Sequence, residues 1–259
     1  MIKFCNLYSG SSGNSTYIES SSTRLLVDAG VSCQKISKAL DELGSSLNSI
    51  DGILISHEHS DHIKGLEVIS KKFGVPIYAT KKTWAAMQNL KVADELKRFF
   101  VPEEDFMIGD IKVLAFSIPH DATEPCGFSL FNETKKITIA TDIGHLDEEL
   151  IKKMYASDIL LIESNYDKDT LLCGPYPYML KKRIQSDVGH LSNEMTGKAV
   201  KELYESGVSN IILGHLSKEN NFPELAYQTT LNELQTSSCN LPFSLSVAKR
   251  DEVDDMITL

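Results

Sequence analysis

Four ionisable side chains, His57, His59, Asp61 and His62, fall within six residues directly behind the short apolar run Ile50 to Ile55. Gathering such groups at the carboxyl end of a buried strand costs desolvation and mutual repulsion unless a positive charge compensates, and a bound cation does so. Imidazoles with a carboxylate and no thiolate nearby suit zinc, manganese or iron, and alternating side chains on a tight loop can serve two adjacent ions. The competing reading, a solvent-exposed histidine-rich loop, needs both spacing and position to be accidental.

The cluster also constrains the fold, because further ligands have to arrive from elsewhere in the chain. His120 follows the predicted strand Ile111 to Ile118, Asp142 follows Ile137 to Ala140, and His215 follows Ile211 to Leu213. Each alone reads as a cap or a satisfied surface residue; three at strand ends, beside the cluster, read as ligands. Paired ions about 3.5–4 Å apart lower the pKa of a shared water and clamp a phosphoryl or acyl oxygen, so the chemistry is hydrolysis. Amide, thioester, lactone and phosphodiester substrates all remain open at this point.

The 259 residues make one large or two small domains. With 42% hydrophobic and 24% charged residues, disorder, coiled coil and fibre are excluded. A strand meander from Ile2 to Val27 precedes a helix from Cys33 to Leu43, the strand Ile50 to Ile55, a helix from Ile63 to Phe73, a strand Pro76 to Ala79 and a helix Thr83 to Leu90. From Phe99 to Ile139 the pattern turns to strands. It then resumes alternation with helix Asp147 to Tyr155, strand Asp158 to Ile162, helix Asn193 to Ser206, strand Ile211 to Leu213, helix Pro223 to Leu234 and strand Phe243 to Val247. Mixed strands followed by αβ units, in two halves, predict an α/β fold: two packed sheets with helices outside, in a single domain over 1–250. Asp251, Glu252, Asp254 and Asp255 are expected in a solvated acidic tail over 251–259.

No apolar run approaches the ~20 residues of a membrane helix, and Met1 to Ser9 lacks signal-peptide features, so the expectation is a cytoplasmic protein without a membrane partner. The five scattered cysteines read as reduced, and Cys126 and Cys173 lack a local nucleophile signature. A net charge of −10 opposes sequence-blind binding of nucleic acid by the whole surface, though not by a local basic groove.

The series His57-x-His59-x-Asp61-His62, His120, Asp142 and His215 resembles the motifs of the metallo-β-lactamase superfamily over nearly the whole chain. That resemblance implies an αββα sandwich with a dinuclear site. His57, His59 and His120 would hold one ion, Asp61, His62 and His215 the other, and Asp142 would bridge. Asp28, in Leu25-Leu-Val-Asp-Ala-Gly30, matches the buried aspartate that braces the histidine loop. His145 competes with His120 for the first site.

Two further segments, Asp158-Ile-Leu-Leu-Ile-Glu163-Ser-Asn165 and Gly189-His190-Leu-Ser192-Asn, resemble those of ribonuclease Z-like phosphodiesterases, where this histidine stands beside the scissile phosphate. Asp61, His190 and Glu163 are the catalytic candidates on that basis, with a hydrogen-bonded pair that merely fixes two loops as the other reading of Glu163 and His190. The segment Tyr176-Pro-Tyr178-Met-Leu-Lys181-Lys182-Arg183 joins aromatics to a basic triplet. Aromatic faces stack on bases and cations hold phosphates, which makes Tyr178, Lys181, Arg183 and Ser192 candidate substrate contacts. Together with Ser9-Gly-Ser-Ser-Gly13-Asn-Ser-Thr and Thr141-Asp-Ile-Gly-His145, these segments are similar to the bacterial YycJ (WalJ) family, regarded as metal-dependent exonuclease-like hydrolases.

The leading expectation is a phosphodiesterase or exonuclease using two divalent ions, zinc, manganese or iron, with DNA as substrate and no obligatory protein partner. The alternative is a small-molecule hydrolase of the same fold, cleaving a cyclic phosphodiester, thioester or lactone, which the acidic balance favours. A metal-stabilised binding module is disfavoured, because a structural site needs only a closed set of four ligands.

Overall fold

The computed structural model describes all 259 residues, Met1–Leu259. Contacts divide the chain into two compact units within the span expected as one domain. The first comprises Met1–Ser117, Ala122–Lys135 and Lys249–Leu259, and the second Ile118–Asp121 and Lys136–Ala248.

The first unit contains β1 (Lys3–Tyr8), β2 (Ser15–Glu19), β3 (Arg24–Val27), α1 (Cys33–Glu42), β4 (Gly52–Leu54), α2 (Ser60–Ile63), α3 (Leu66–Phe73), β5 (Ile77–Thr80), α4 (Lys81–Ala86), β6 (Lys97–Phe100), β7 (Asp105–Ile108), β8 (Ile111–Ser117) and β9 (Cys126–Asn132). Strands β1 to β3 form an antiparallel meander, and β3, β4, β5 and β6 continue it in parallel, with Leu26 opposite Ile53 and Ile53 opposite Ile77. Strands β7, β8 and β9 are an antiparallel group. Apolar residues on successive turns of α1 and α3, Ile36, Leu40, Leu66 and Ile69, are fully buried against Leu26, Ile53 and Ile77, as the 3.6-residue period demands.

The helix expected from Ile63 to Phe73 begins only at Leu66, after a separate turn of helix that ends at Ile63. Gly65 N donates to Ala29 O at 2.8 Å, and a Cβ there would stand 2.5 Å from Val31 O, so the chain bends where only glycine fits.

The second unit holds β10 (Lys135–Ala140), α5 (Glu148–Met154), β11 (Ile159–Glu163), α6 (Lys168–Cys173), α7 (Tyr178–Ile184), α8 (Asn193–Glu205), β12 (Asn210–Gly214), α9 (Pro223–Gln235) and β13 (Ser244–Val247). Its four strands are parallel and in register, with Leu161 between Ile139 and Ile212. Both faces of β11 and β12 are buried, which is why residues 159–162 and 211–213 read as unbroken apolar runs rather than alternating ones. Side-chain caps start the helices: Asp147 accepts from Leu150 N, Asp167 from Thr170 N and Ser192 from Met195 N.

The stretch expected as an acidic tail over 251–259 carries a short strand. Residues 249–259 belong to the first unit and end in β14 (Ile257–Thr258), which pairs with β1 through Lys3 opposite Thr258. Asp254 N donates to Asn6 O at 3.0 Å, and Val253 and Met256 pack against the core. Apolar Val253 and Met256, set among the acids, supply a burial face that a charge count misses. In all, the fourteen strands fall into two sheets of seven. No helix is long and apolar enough to cross a membrane.

Candidate metal centre and active site

In each unit, parallel strands deliver polar residues at their carboxyl ends, the place where α/β sheets leave room for ligands. In the first unit, β3 ends at Asp28 and β4 leads through Ile55 into Ser56 and His57. Asp28 is buried; its Oδ1 accepts from Ser56 N at 2.9 Å and its Oδ2 from His62 Nδ1 at 2.8 Å. Ser56 Oγ sits 3.0 Å from His57 Nδ1. The rings of His57 and His59 are 4.5 Å apart, and those of His57 and His62 4.1 Å. Asp61 lies 3.5 Å from His62 Nε2. The structure thus brings His57, His59, Asp61 and His62 together, with Asp28 in the bracing position.

In the second unit, Asp142 follows β10, Glu163 ends β11 and His215 follows β12. Asp142 Oδ1 is 3.6 Å from His120 Nε2, 3.5 Å from His215 Nε2 and 3.9 Å from His190 Nδ1. Glu163 is fully buried, and its Oε1 accepts from both His190 Nδ1 and His215 Nδ1 at 2.8 Å, while its Oε2 accepts from the amides of Ile143 and Leu191. His120 Nδ1 donates to Gly189 O at 3.1 Å.

An imidazole whose Nδ1 donates to a carboxylate or carbonyl presents Nε2 as an electron-pair donor, the arrangement of metal-ligating histidines. His62, His120 and His215 all have it. Asp142, Glu163, His190 and His215 place one donor atom each within 4.8 Å of one another. This donor chemistry fits divalent cations.

Electrostatics follow from burial. Desolvation holds the His120 ring below the usual imidazole pKa, leaving it neutral, the form that binds metal. Burial alone would push His190 down as well, but the Glu163 carboxylate beside it, with Asp142, carries it above the usual value. Burial likewise opposes ionisation of Glu163, and the two histidines at 2.8 Å overcome it, keeping the carboxyl well below its ordinary range.

Backbone strain marks the same residues. Asp28 (φ 63°), Asp142 (φ 63°) and His215 (φ 54°) are left-handed, a conformation that costs non-glycine residues about 1–3 kcal/mol each and concentrates at functional sites. Each turns its side chain aside at the end of a strand.

Glu163 has no accessible surface. Ser192, also fully buried, is the N-cap of α8. Lys181 Nζ donates to the carbonyls of Leu172 and Gly174, both at 2.7 Å, and Arg183 Nε is bound by Asp121. Tyr178 is 74% exposed. His145 makes a bond from Nδ1 to Asp187 O and belongs to none of the donor groups, whereas His120 Nε2 stands 3.6 Å from Asp142 Oδ1.

Some contributors escape a reading of the sequence. Asn14 Nδ2 approaches Asp61 Oδ2 at 3.4 Å and His62 Nε2 at 3.2 Å, although Gly13-Asn14 reads as a plain hairpin turn. Asn165 Nδ2 donates to His215 O at 2.8 Å. Asp121 Oδ1 is 3.5 Å from His120 Nε2.

Comparison with known proteins agrees with this geometry. The β-lactamase superfamily domain matches residues 23–216. A Streptococcus pneumoniae protein named exodeoxyribonuclease WalJ is 42% identical over 90% of this chain and 88% of its own, and a Bacillus anthracis protein named exodeoxyribonuclease YycJ is 37% identical over 90% and 89%. The metallo-β-lactamase fold protein YhfI from Bacillus subtilis superposes at a TM-score of 0.72 with 17% identity, over 98% of this chain and 100% of that one, which shows the shared fold. From the histidine loop to the strained Asp142 and His215, and at 42% identity over nine-tenths of its length, this chain belongs to the β-lactamase superfamily, among the WalJ and YycJ proteins.

Proposed function

We propose that the protein is a metal-dependent phosphodiesterase that removes nucleotides from DNA ends. The observation that carries this reading is the 42% identity to a protein named exodeoxyribonuclease across nearly the full length of both chains. The strand-end histidines and carboxylates of each unit support it. Two ions, zinc or manganese, with iron compatible with the same donors, would supply a water of lowered pKa and polarise a phosphoryl oxygen.

In this reading His57, His59 and His120 hold one ion, Asp61, His62 and His215 the other, and Asp142 serves both. Asp28 and Glu163 fix the tautomers and orientations of the histidines they accept from. His190, with a fifth of its side chain exposed, keeps Nδ1 on Glu163 and offers Nε2 to the scissile phosphate or its leaving oxygen. Asp61 takes part in orienting the attacking water.

A second reading, hydrolysis of a small phosphodiester, thioester or lactone, draws on the charge of −10 and on the engagement of Lys181 and Arg183 within the fold. Metal-reconstituted protein assayed on 5′-labelled and 3′-labelled DNA and RNA, beside a bis-aryl phosphodiester and a thioester, separates the two. Release of mononucleotides from one labelled end of DNA is the expected result. Turnover of the small substrates alone would select the second reading.

A further inference from the structure

Helix α7 buries none of its residues, and the segment around it carries an unusual density of exposed apolar side chains: Leu172 at 58%, Tyr178 at 74%, Met179 at 73% and Val188 at 44%. Such a surface is costly to leave in water and marks a contact site when it is rimmed by polar groups. The charges here are largely committed. Lys181 ties the carbonyls at the end of α6 to α7, Arg183 is held by Asp121, and Lys182 is the exposed cation of the triplet with neither tie.

The segment is also fastened to catalytic loops of its own unit. His190 N donates to Ile184 O at 2.9 Å, Asp121 N to Val188 O at 3.0 Å, and His145 Nδ1 to Asp187 O. A Cβ on Gly189 would stand 2.2 Å from Ile184 O, so the chain can fold back tightly from α7 to His190 only through glycine. The C-terminal end of α7, at Ile184, is therefore fixed relative to His190.

We infer that the exposed Tyr178 and Met179 of α7 form a stacking platform for unpaired bases at the end of a nucleic-acid strand, and that α7 selects substrate by base contact more than by phosphate charge. This rests on the nuclease reading above. A lone aromatic beside a flexible thioether, with one free cation, matches the sequence-tolerant grip that proteins use on single strands. Duplex ends, whose bases are already stacked on each other, gain nothing from it.

Fluorescence anisotropy with a labelled single-stranded oligodeoxynucleotide tests the platform, because both side chains are exposed and their replacement leaves the fold intact. Tyr178→Ala is expected to weaken binding about tenfold to a hundredfold, Tyr178→Trp to restore it, and an oligomer of abasic sites to bind wild type and Tyr178→Ala alike. Lys181→Ser with Lys182→Ser and Arg183→Ser should flatten the log-log salt slope by no more than about one unit. Unchanged binding in Tyr178→Ala, or equal loss on the abasic oligomer, overturns the inference. So does Tyr178-dependent sedimentation with phosphatidylcholine and phosphatidylglycerol vesicles in place of DNA binding, which would make α7 a lipid contact. Degradation of the same oligomer is followed in parallel. Base-dependent binding without degradation defeats the nuclease reading alone, and degradation indifferent to Tyr178 defeats the platform alone.

Discussion

Glu163 and His190 share a 2.8 Å hydrogen bond, Nδ1 donating to Oε1, and the same carboxylate oxygen accepts from His215. One buried anion thus orients a candidate ligand and a candidate phosphate-facing histidine at once. Glu163→Gln keeps the size of the side chain but removes the charge shared by the two imidazoles. We expect metal affinity or activity to fall about 10- to 100-fold. His190→Ala should instead retain its metal and lose about 10²- to 10⁴-fold in kcat. Elemental analysis with single-turnover kinetics distinguishes them; a His190→Ala protein with full metal and activity within a few-fold of wild type would leave His190 a structural residue.

Asp142 lies within 3.6 Å of both His120 Nε2 and His215 Nε2. A carboxylate that serves two cations also offsets their repulsion. Asp142→Asn isolates that charge, since asparagine tolerates the left-handed backbone at this position nearly as well as aspartate. The variant should bind well under the wild-type metal content, with a lowered Tm that added metal no longer raises. A full complement by elemental analysis would take Asp142 out of the bridging role.

His120 and His145 offer a direct contrast. His120 is buried with its Nδ1 on Gly189 O, and His145 is half-buried on Asp187 O. Metal content should drop in His120→Ala and hold in His145→Ala. The reverse pattern would move the ligand assignment to His145.

The strand-end logic that made the candidate site legible had a simple basis: β4, β10 and β12 are apolar runs that stop abruptly at His57, Asp142 and His215, and abrupt change is visible in one dimension. Asp28 and Glu163 were visible only through the resemblance of their segments to known families. Asn14, Asn165 and Asp121 were not, because a single amide or carboxylate in a turn has many local uses, and its partner stands tens of residues away. Composition records the charges of Lys181 and Arg183 and the hydroxyl of Ser192, but not the carbonyls, Asp121 and helix amide that they contact. In the fold, β14 was hidden because two paired residues at the end of an acidic stretch carry too little periodicity to read.

That terminal segment provides a pH test remote from the candidate site. Asp254 accepts from Lys249 N at 3.2 Å, but burial dominates and pushes its carboxyl from the usual 3.8 up to about 6. A carboxyl with a raised folded-state value binds its proton more tightly folded than unfolded. Its favourable contribution is complete below the unfolded value and is lost as pH rises through the folded one, so the ionised group weakens the fold above about pH 6. Asp254→Asn keeps the acceptor oxygen and never ionises. It should stabilise the protein by about 1–2 kcal/mol at pH 8, with the difference closing below about pH 4. Urea midpoints at the two pH values check the sign. A variant less stable than wild type at pH 8 would mean that the Asp254 charge supports the Lys249 turn instead of straining β14.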